Sequence, residues 1–324
     1  MYYKKASKKF WKGRVDSKKN QDKFRFHQKI NLLDYKSIDS LKKDKKNIDV
    51  AFIGFRSDLG VERNKGIIGA SEAPNIIRQK LSSKPFNYEK IKIYDLGNII
   101  VHENLRDAQL LLSNIIKKLI NKNIFPIILG GGHETSYGAA LGLIKSIDKN
   151  EKVNTLNFDA HFDMRDQESL PTSGTMFSEL LNRYNNYYYN VFGIQKIGNT
   201  KYLFKKADKL DRVSYYLVDK IIKNNFDLLK YIKVDPRNYY HLTICFDVFT
   251  SKEVPGVSAP NIKGITYAQM SQYLEKVILN LDNLKVFDLS EMNPKKDIND
   301  LSINVAVNII YDIINYLEKR YINN

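Results

Sequence analysis

Short apolar runs alternate with longer amphipathic segments along most of the chain, and this alternation limits the fold more than any other feature of the sequence. The run at residues 48–55 is rich in β-branched and aromatic side chains, which is typical of a buried strand. Residues 104–122 instead carry apolar side chains at the spacing of one helical face. Strand and helix alternating in this way predict a single-domain, three-layer α/β/α fold with a mostly parallel sheet of about eight strands.

The predicted elements alternate in order along the chain. Strands are predicted near residues 48–55, 91–97, 125–129, 153–158, 189–194, 212–217, 240–247 and 284–289. Helices are predicted near residues 74–81, 104–122, 136–146, 176–184, 267–281 and 299–319. Ligands of open α/β sheets bind at the carboxyl ends of the strands, so the residues that follow strands are the first candidates for a site.

The first part of the chain differs in character from the rest. A chain of 324 residues is long enough for one large α/β domain or two ordinary ones. Residues 1–47 are basic and aromatic and contain Trp11, the only tryptophan. We therefore expect an N-terminal arm over residues 1–47, anchored by Trp11 on a domain formed by residues 48–324.

The composition is that of a globular protein. Hydrophobic residues make up 43% of the chain and aromatic residues 12%, which separates it from disordered sequences. There is no run of eighteen apolar residues and no apolar signal segment near the N-terminus. The only cysteine is Cys245, so no intrachain disulfide can form. These features lead us to expect a cytoplasmic protein without a membrane partner.

The chain is strongly basic, with a formal net charge of +16. Its lysines are spread along the whole sequence, and the densest cluster, at residues 42–46, is more typical of a solvated loop than of a phosphate-binding patch. We therefore expect no nucleic-acid partner. A positive field would still favour a small anionic substrate.

Three possible metal ligands follow the strand predicted at residues 153–158. Asp159, His161 and Asp163 are spaced at two-residue intervals. In an extended segment residues at this spacing point to the same side, so we expect the three side chains to converge if the backbone stays extended. Carboxylate oxygens together with an imidazole suit Mn²⁺, Fe²⁺ or Zn²⁺.

Further candidates follow three other predicted strands. His133 comes after three consecutive glycines, Asp247 ends an alternating run, and Glu291 precedes an Asn-Pro pair. No lysine follows the glycines as a phosphate-binding loop requires. Taken singly, each residue is also compatible with a packed histidine, a helix cap or an ordinary loop acid. Several such groups at one edge of a sheet favour a metal site, because unpaired carboxylates in a cleft are costly.

Taken together, these stretches resemble the ureohydrolase (arginase and agmatinase) superfamily of dinuclear manganese hydrolases. The motifs around His133, Asp159, Asp247 and Glu291 occur in the family's order. A finer resemblance, covering residues from about 11 to 320, is to the formimidoylglutamases. The segments that carry it are residues 11–16, 60–66, 132–134, 163–165, 173–175 and 255–260.

The resemblance implies a centre of two Mn²⁺ ions per subunit. One metal would be held by His133, Asp159 and Asp163, and the second by His161 and Asp247, with Asp159 shared between them. Two adjacent cations lower the pKa of a bridging water and supply hydroxide near neutral pH. Asp159 is therefore expected to be catalytic as well as a ligand.

The resemblance also implies roles for residues around the metals. Glu291 would be catalytic, holding the cationic amidine or the leaving nitrogen, and Arg165 would clamp a substrate carboxylate. Ser173, Arg63 and Asn64 are further expected substrate-binding residues. The implied reaction converts N-formimidoyl-L-glutamate and water to L-glutamate and formamide, as in histidine degradation. An agmatinase- or arginase-type reaction is the alternative within the family, and a homo-oligomer is implied.

Cys245 departs from the family pattern. The resemblance assigns this position to a second bridging carboxylate, whereas a thiolate is a single soft atom that suits zinc better than Mn²⁺. Two roles are open to Cys245: a further metal ligand, or a buried apolar residue, since free cysteines are usually buried. Three states follow: two metals held more weakly, one or a different metal, or an empty site in a non-catalytic relative that keeps the fold.

Overall fold

The computed structural model describes residues 3–42, 46–167, 169–223, 226–232 and 234–323, so residues 43–45 of the basic cluster lie outside the described residues. The strands are β1 (Tyr3–Lys4), β2 (Ile30–Leu32), β3 (Ile48–Arg56), β4 (Ile91–Ile100), β5 (Ile124–Leu129), β6 (Val153–Phe158), β7 (Tyr187–Ile194), β8 (Val213–Leu217), β9 (Tyr239–Cys245) and β10 (Leu284–Ser290). The helices are α1 (Phe26–Lys29), α2 (Leu59–Arg63), α3 (Ala73–Ser82), α4 (Leu105–Asn121), α5 (Thr135–Ile144), α6 (Met176–Arg183), α7 (Lys201–Asp208), α8 (Val218–Ile221), α9 (Leu228–Ile232), α10 (Tyr267–Asn280) and α11 (Leu301–Asn323).

The strands form one sheet in the order β1-β4-β3-β5-β10-β9-β6-β7-β8, with β2 also paired to β4. Every pairing between these strands is parallel except that of β1 with β4. The predicted mostly parallel sheet is confirmed, and all eight predicted strands are present. The two additional strands, β1 and β2, have only two and three residues, too few for a periodic pattern in the sequence.

The sheet has two faces, and helices cover both. Alternate residues of β3 show this, because Val50 and Phe52 pack in one apolar cluster and Ala51 and Ile53 in the other. Helices α3, α10 and α11 contribute to the first cluster, whereas α4, α5, α6 and α7 contribute to the second. Burial of each such side chain stabilises the fold by about 1.5–3 kcal/mol, so the two clusters hold the predicted three layers together.

The order of the strands changes direction in the middle of the sheet. Consecutive strands β5 and β6 do not pair with each other, because β10 and β9 lie between them. A crevice opens at such a switch point, outside the carboxyl ends of the strands, and ligands of open α/β sheets bind there. The four central strands therefore define where a site is built.

The N-terminal residues contact the sheet through a buried polar cluster. The indole Nε1 of Trp11 donates to Asp95 Oδ2 at 2.7 Å, and the ring stacks on Phe52. Arg78 pairs with the same carboxylate at 2.8 Å, with both side chains only 1% exposed. Trp11 is thus buried against the domain, while the boundary at residues 47 and 48 stays a prediction. None of the helices in the described part of the chain has the length and apolarity needed to span a bilayer.

Candidate metal centre

The carboxyl ends of the four central strands bring together the residues that the sequence singled out. His133 follows β5, and the Asp159 segment follows β6. Cys245 ends β9, with Asp247 two residues further on, and Glu291 follows β10 directly. Parallel register places these ends side by side, so residues more than a hundred positions apart become neighbours.

The first cluster joins His133 to two carboxylates. Its Nδ1 lies 3.1 Å from Asp159 Oδ2 and 2.8 Å from Asp163 Oδ2. Its other ring nitrogen, Nε2, lies 3.1 Å from Thr243 Oγ1, whose hydroxyl donates to Asp288. Because the Thr243 hydroxyl donates to Asp288, it accepts the proton of Nε2, and Nδ1 is the nitrogen that can bind a cation once it has released its own proton.

The second cluster contains Asp159, His161 and Asp247, whose potential ligand atoms lie within 4.8 Å of one another. His161 Nδ1 is 2.9 Å from Asp247 Oδ2 and 3.8 Å from Asp159 Oδ1. Asp159 belongs to both clusters, with one oxygen toward His133 and the other toward His161. A carboxylate in this position can bridge two cations, as the sequence comparison with the superfamily implies.

The route by which Asp163 reaches the centre differs from the prediction. Strand β6 ends at Phe158, and Asp163 has φ of 48°, so the backbone does not stay extended through this segment, which was the condition stated for convergence of the three side chains. Glu291 also has a positive φ, of 67°. The left-handed region is unfavourable for residues with a side chain and such backbones cluster at functional sites, so the strain at both residues marks them as functional candidates.

The titratable groups of the centre favour the binding of cations. Burial and then the charges of Asp163 and Asp247 raise the pKa of Asp159. Burial lowers the pKa of His161, but the charges of Asp247, Asp159 and Asp163 and the hydrogen bond to Asp247 together outweigh this effect and raise the pKa to about 10. Among the described residues no lysine or arginine pairs with these three carboxylates. Two imidazoles and three carboxylates form a donor set that fits divalent cations such as Mn²⁺.

Cys245 lies inside this centre. Its side chain is buried, and its sulfur falls within 4.8 Å of potential ligand atoms of His133 and Asp159. Burial, together with the surrounding carboxylates, raises the pKa of the thiol well above its usual value. A metal-free Cys245 is therefore a neutral thiol at neutral pH.

A cavity of about 210 Å³ opens directly onto the centre. Glu291 lines it, and burial followed by the charge of Glu134 raises the pKa of its carboxyl to about 8. The predicted residues that line this cavity are His133, His161, Asp163, Cys245, Asp247, Glu291, Arg165, Ser173 and Asn64. Metal candidates and substrate candidates thus share one space.

The substrate candidates do not all occupy the same place. Arg165 Nη1 donates to Asn64 Oδ1 at 2.6 Å, and the Ser173 backbone N–H donates to Gly60 O at 3.1 Å. Arg63 instead donates to the carbonyl oxygens of Pro171 and Glu103. It lines an outer cavity of about 600 Å³ that Asn64 and Arg165 also line. The structure therefore places Arg63 further from the metal candidates than the other three.

Three buried residues of the site were missed in the sequence. Asn157 Nδ2 donates to Asp159 Oδ2 at 3.0 Å, and Thr243 contacts His133 as described above. Glu134 accepts from Ser57 Oγ at 2.6 Å and from Gly60 N at 2.9 Å, which holds the start of α2. Alternation along β6 could have indicated Asn157, since it precedes Asp159 by two residues. The partners of Thr243 and Glu134 lie far away in the sequence, so the sequence does not show what these two residues contact, although residue 134 belongs to a segment that carries the family resemblance.

The comparisons with known proteins agree with this geometry. The arginase family model matches residues 48–315. The chain is 38% identical over 322 residues to formimidoylglutamase from Lysinibacillus sphaericus, covering 97% of this chain and 98% of that protein. Its fold is similar to that of formimidoylglutamase from Bacillus subtilis, with a TM-score of 0.77 and 21% identity over 94% of each chain. It is also similar to Trypanosoma cruzi formiminoglutamase with Mn²⁺, with a TM-score of 0.75 and 22% identity over 89% of this chain and 99% of that one.

Proposed function

The chain belongs to the arginase family, and we propose that it is a metal-dependent hydrolase that converts N-formimidoyl-L-glutamate and water to L-glutamate and formamide. The observation that carries this proposal is the position of Asp159, which is shared by two ligand clusters beside the cavity that Glu291 and Arg165 also line. The formimidoylglutamase relatives, which align along the full chain, support the choice of substrate.

The proposed cofactor is a pair of divalent cations, with Mn²⁺ supported by the formiminoglutamase of similar fold. His133, Asp159 and Asp163 would hold one cation, and His161, Asp247 and the shared Asp159 the other. When bound, such a pair lowers the pKa of a water between the ions and supplies hydroxide near neutral pH.

In this proposal the buried carboxyl of Glu291 holds the amidine. The new bond forms between the water oxygen and the formimidoyl carbon, and the bond from that carbon to the glutamate nitrogen then breaks. Both protons of the attacking water move: one goes to the leaving nitrogen, which departs as the amine of glutamate, and the other goes to the nitrogen that formamide keeps. Glu291 Oε1 accepts a hydrogen bond from the backbone N–H of His133 at 3.0 Å. This bond holds the carboxyl beside the ligand cluster while the bonds of the amidine rearrange.

The substrate carboxylates would bind beside Arg165, which lines the same cavity as Glu291 and the metal candidates. Arg165 can present two parallel N–H groups to a carboxylate, a geometry that a lysine cannot reproduce. Asn64 accepts a hydrogen bond from the Arg165 guanidinium, and Ser173 lines the same cavity. Arg63, in the outer cavity, would then attract the anionic substrate at longer range.

A panel of three substrates tests the proposal. We expect Mn²⁺-reconstituted full-length protein to release formamide from N-formimidoyl-L-glutamate and no urea from agmatine or L-arginine. Urea without formamide would assign the protein to another reaction of the family. Absence of all products from a metal-loaded protein would favour a non-catalytic relative.

A matched variant ties the activity to the site. Glu291→Gln keeps the shape of the side chain and removes its titratable carboxyl, so we expect kcat to fall by about 10²–10³-fold while bound metal stays the same. An unchanged kcat would remove Glu291 from the proposed mechanism.

A homo-oligomer also remains part of the proposal, as the family resemblance implies. Light scattering on the purified full chain measures it directly. A monomeric mass at micromolar concentration would contradict this part alone.

A further inference from the structure

The ammonium of Lys206, on α7, contacts both sequence neighbours of Arg165. Its Nζ donates to the carbonyl oxygen of Met164 at 2.9 Å and to Asp166 Oδ1 at 2.6 Å. A third hydrogen bond, of 2.7 Å, goes to Ser178 Oγ on α6. An ammonium has three N–H groups, so these three acceptors use all of its donors. Lys206 therefore holds the chain on both sides of Arg165 and keeps no donor for a ligand.

Other side chains of α7 contact the same stretch, the Arg165 segment of residues 162–166. At its start, the rings of Phe204 and Phe162 meet edge to face, with centroids 5.1 Å apart. At its end, the Tyr202 hydroxyl donates to Asp166 Oδ2. Together with the hydrogen bond to the carbonyl described above, these contacts join α7 to the segment at its start, its middle and its end.

The Arg165 segment has a backbone that depends on such contacts. Asp163 has φ of 48°, and the left-handed conformation of a residue with a side chain persists only where the surrounding structure holds it. Arg165 donates from its backbone N–H to Gly174 O at 2.9 Å and from its guanidinium to Asn64. A long arginine side chain loses conformational freedom when it binds a ligand, so a fixed backbone lowers the cost of binding.

We propose that Lys206 is a positioning residue for the substrate, which holds the backbone on both sides of Arg165 so that the guanidinium is already in place for the substrate carboxylate. Lys206 acts through Arg165 and does not contact the substrate. This inference rests on the proposed function, since it is there that Arg165 binds a carboxylate. It also gives α7 a role beyond covering the sheet.

Two variants that change the charge in opposite directions test this role. Lys206→Met keeps the apolar stem and removes the donors, so we expect KM for N-formimidoyl-L-glutamate to rise about tenfold, an effect typical of hydrogen bonds to charged groups. Asp166→Ala removes one acceptor, and because the Asp166 side chain is 59% exposed we expect a smaller rise, of about threefold. In both variants kcat should change less than KM.

A purely electrostatic effect predicts a different result for this pair of variants. Loss of a lysine weakens the attraction of an anionic substrate, whereas loss of an aspartate strengthens it. The two changes would then move KM in opposite directions, but loss of the contacts with the Arg165 segment raises KM in both. A lower KM in Asp166→Ala, or a native KM in Lys206→Met, would overturn the proposal. Asp166→Ala, at an exposed position, also covers the case in which Lys206→Met does not fold.

A matched control and a second background show whether Lys206 acts through Arg165. Lys205 is the exposed neighbour of Lys206 on the same helix, and Lys205→Met should leave KM within about twofold of the native value. In an Arg165→Ala background, Lys206→Met should change KM by less than about twofold, because the effects of residues that act through one another are not additive. A rise that persists in full in this background would show that Lys206 acts elsewhere, and it would overturn the proposal.

Hydrogen exchange measured by mass spectrometry tests the contact between α7 and the segment without measuring activity. On metal-loaded full-length protein, a peptide that contains residues 162–166 should exchange at least about tenfold faster in Lys206→Met than in the native protein, because local opening becomes easier. Lys205→Met should exchange at the native rate. Equal exchange in Lys206→Met and the native protein would overturn the proposal.

The outcomes separate this inference from the proposed function. Formamide release by the native protein, together with an unchanged KM in Lys206→Met, would reject the inference alone. Native protein that releases no formamide would reject the proposed substrate. The exchange experiment would then still decide whether Lys206 holds the Arg165 segment.

Discussion

The orientation of individual ligand side chains in this centre is set by their hydrogen-bond partners outside the ligand set. His133 presents Nδ1 because Thr243 engages its Nε2, and Asp159 is held by Asn157. Outer contacts of this kind fix the orientation and protonation of a ligand. The ligand types could be predicted from the sequence at β6, but their partners could not, because 110 residues separate His133 from Thr243.

Arg165 gives a residue-scale prediction about substrate binding. Arg165→Lys keeps the charge but loses the planar fork, so we expect KM for N-formimidoyl-L-glutamate to rise about tenfold with a smaller change in kcat. Steady-state kinetics measure this split. Arg237→Lys is the control, because the Arg237 side chain is 87% exposed and pairs with Asp235, away from the cavity. A KM equal to that of the native enzyme would exclude Arg165 from carboxylate binding.

Glu134 gives a second residue-scale prediction, on stability. Glu134→Ala leaves the hydroxyl of Ser57 and the N–H of Gly60 without their acceptor. We expect the free energy of unfolding to fall by about 2–4 kcal/mol, measured by urea titration. Glu134→Gln keeps an acceptor oxygen and should lose less than half as much. Equal losses would show that these two hydrogen bonds do not stabilise the α2 segment.

At the scale of elements, the alternation of strands and helices predicted the sheet. It did not predict the turns that position the candidate metal ligands. All eight long strands were predicted, because each except the partly exposed β8 is a largely buried apolar run. The chain turns after β6 instead of continuing as a strand, and the positive φ of Asp163 depends on tertiary contacts. One of these contacts is the ion pair with His133. Helix α7 was also missed, since its three lysines leave only Leu203 and Ala207 buried.

The contact of the N-terminal residues with the sheet can be tested at this scale. Asp95→Ala leaves Arg78 buried without its carboxylate and removes the acceptor of Trp11. We expect a loss of about 3–5 kcal/mol in the free energy of unfolding and a red shift of tryptophan emission. Fluorescence reports on one site, because Trp11 is the only tryptophan.

A control on the surface distinguishes this cluster from an ordinary ion pair. Asp39→Ala removes the partner of Lys118, and the Asp39 side chain is 62% exposed. Its expected loss is within about 1 kcal/mol. Similar losses for the two variants, with unchanged emission, would contradict anchoring of the first residues through Asp95.

At the scale of the whole molecule, we expect the stability of the fold to depend on the metal bound at the site. Three carboxylates that converge without a lysine or arginine partner among the described residues repel one another, and bound cations relieve this repulsion. We expect removal of metal by a chelator to lower Tm by about 4–8 °C, because a ligand at 100 times its Kd stabilises a protein by about 2.7 kcal/mol. Differential scanning calorimetry with and without added metal measures this shift. An identical Tm in both states would mean that the clusters do not bind metal.

The whole-molecule architecture was the part most accessible from the sequence. Strand and helix alternation predicted three layers, and the strand ends predicted where the site lies. The sequence did not reveal that β10 and β9 separate β5 from β6, because strand order depends on long-range packing. This order is what places Glu291 and Cys245 between His133 and Asp159.

The most direct test of the proposed function is the rate of formamide release from N-formimidoyl-L-glutamate, measured on samples whose bound metal has been quantified. We predict that the rate rises with the number of bound cations, falls to background after chelation and returns when metal is added back. A folded protein that carries metal and releases no formamide would contradict the proposed function.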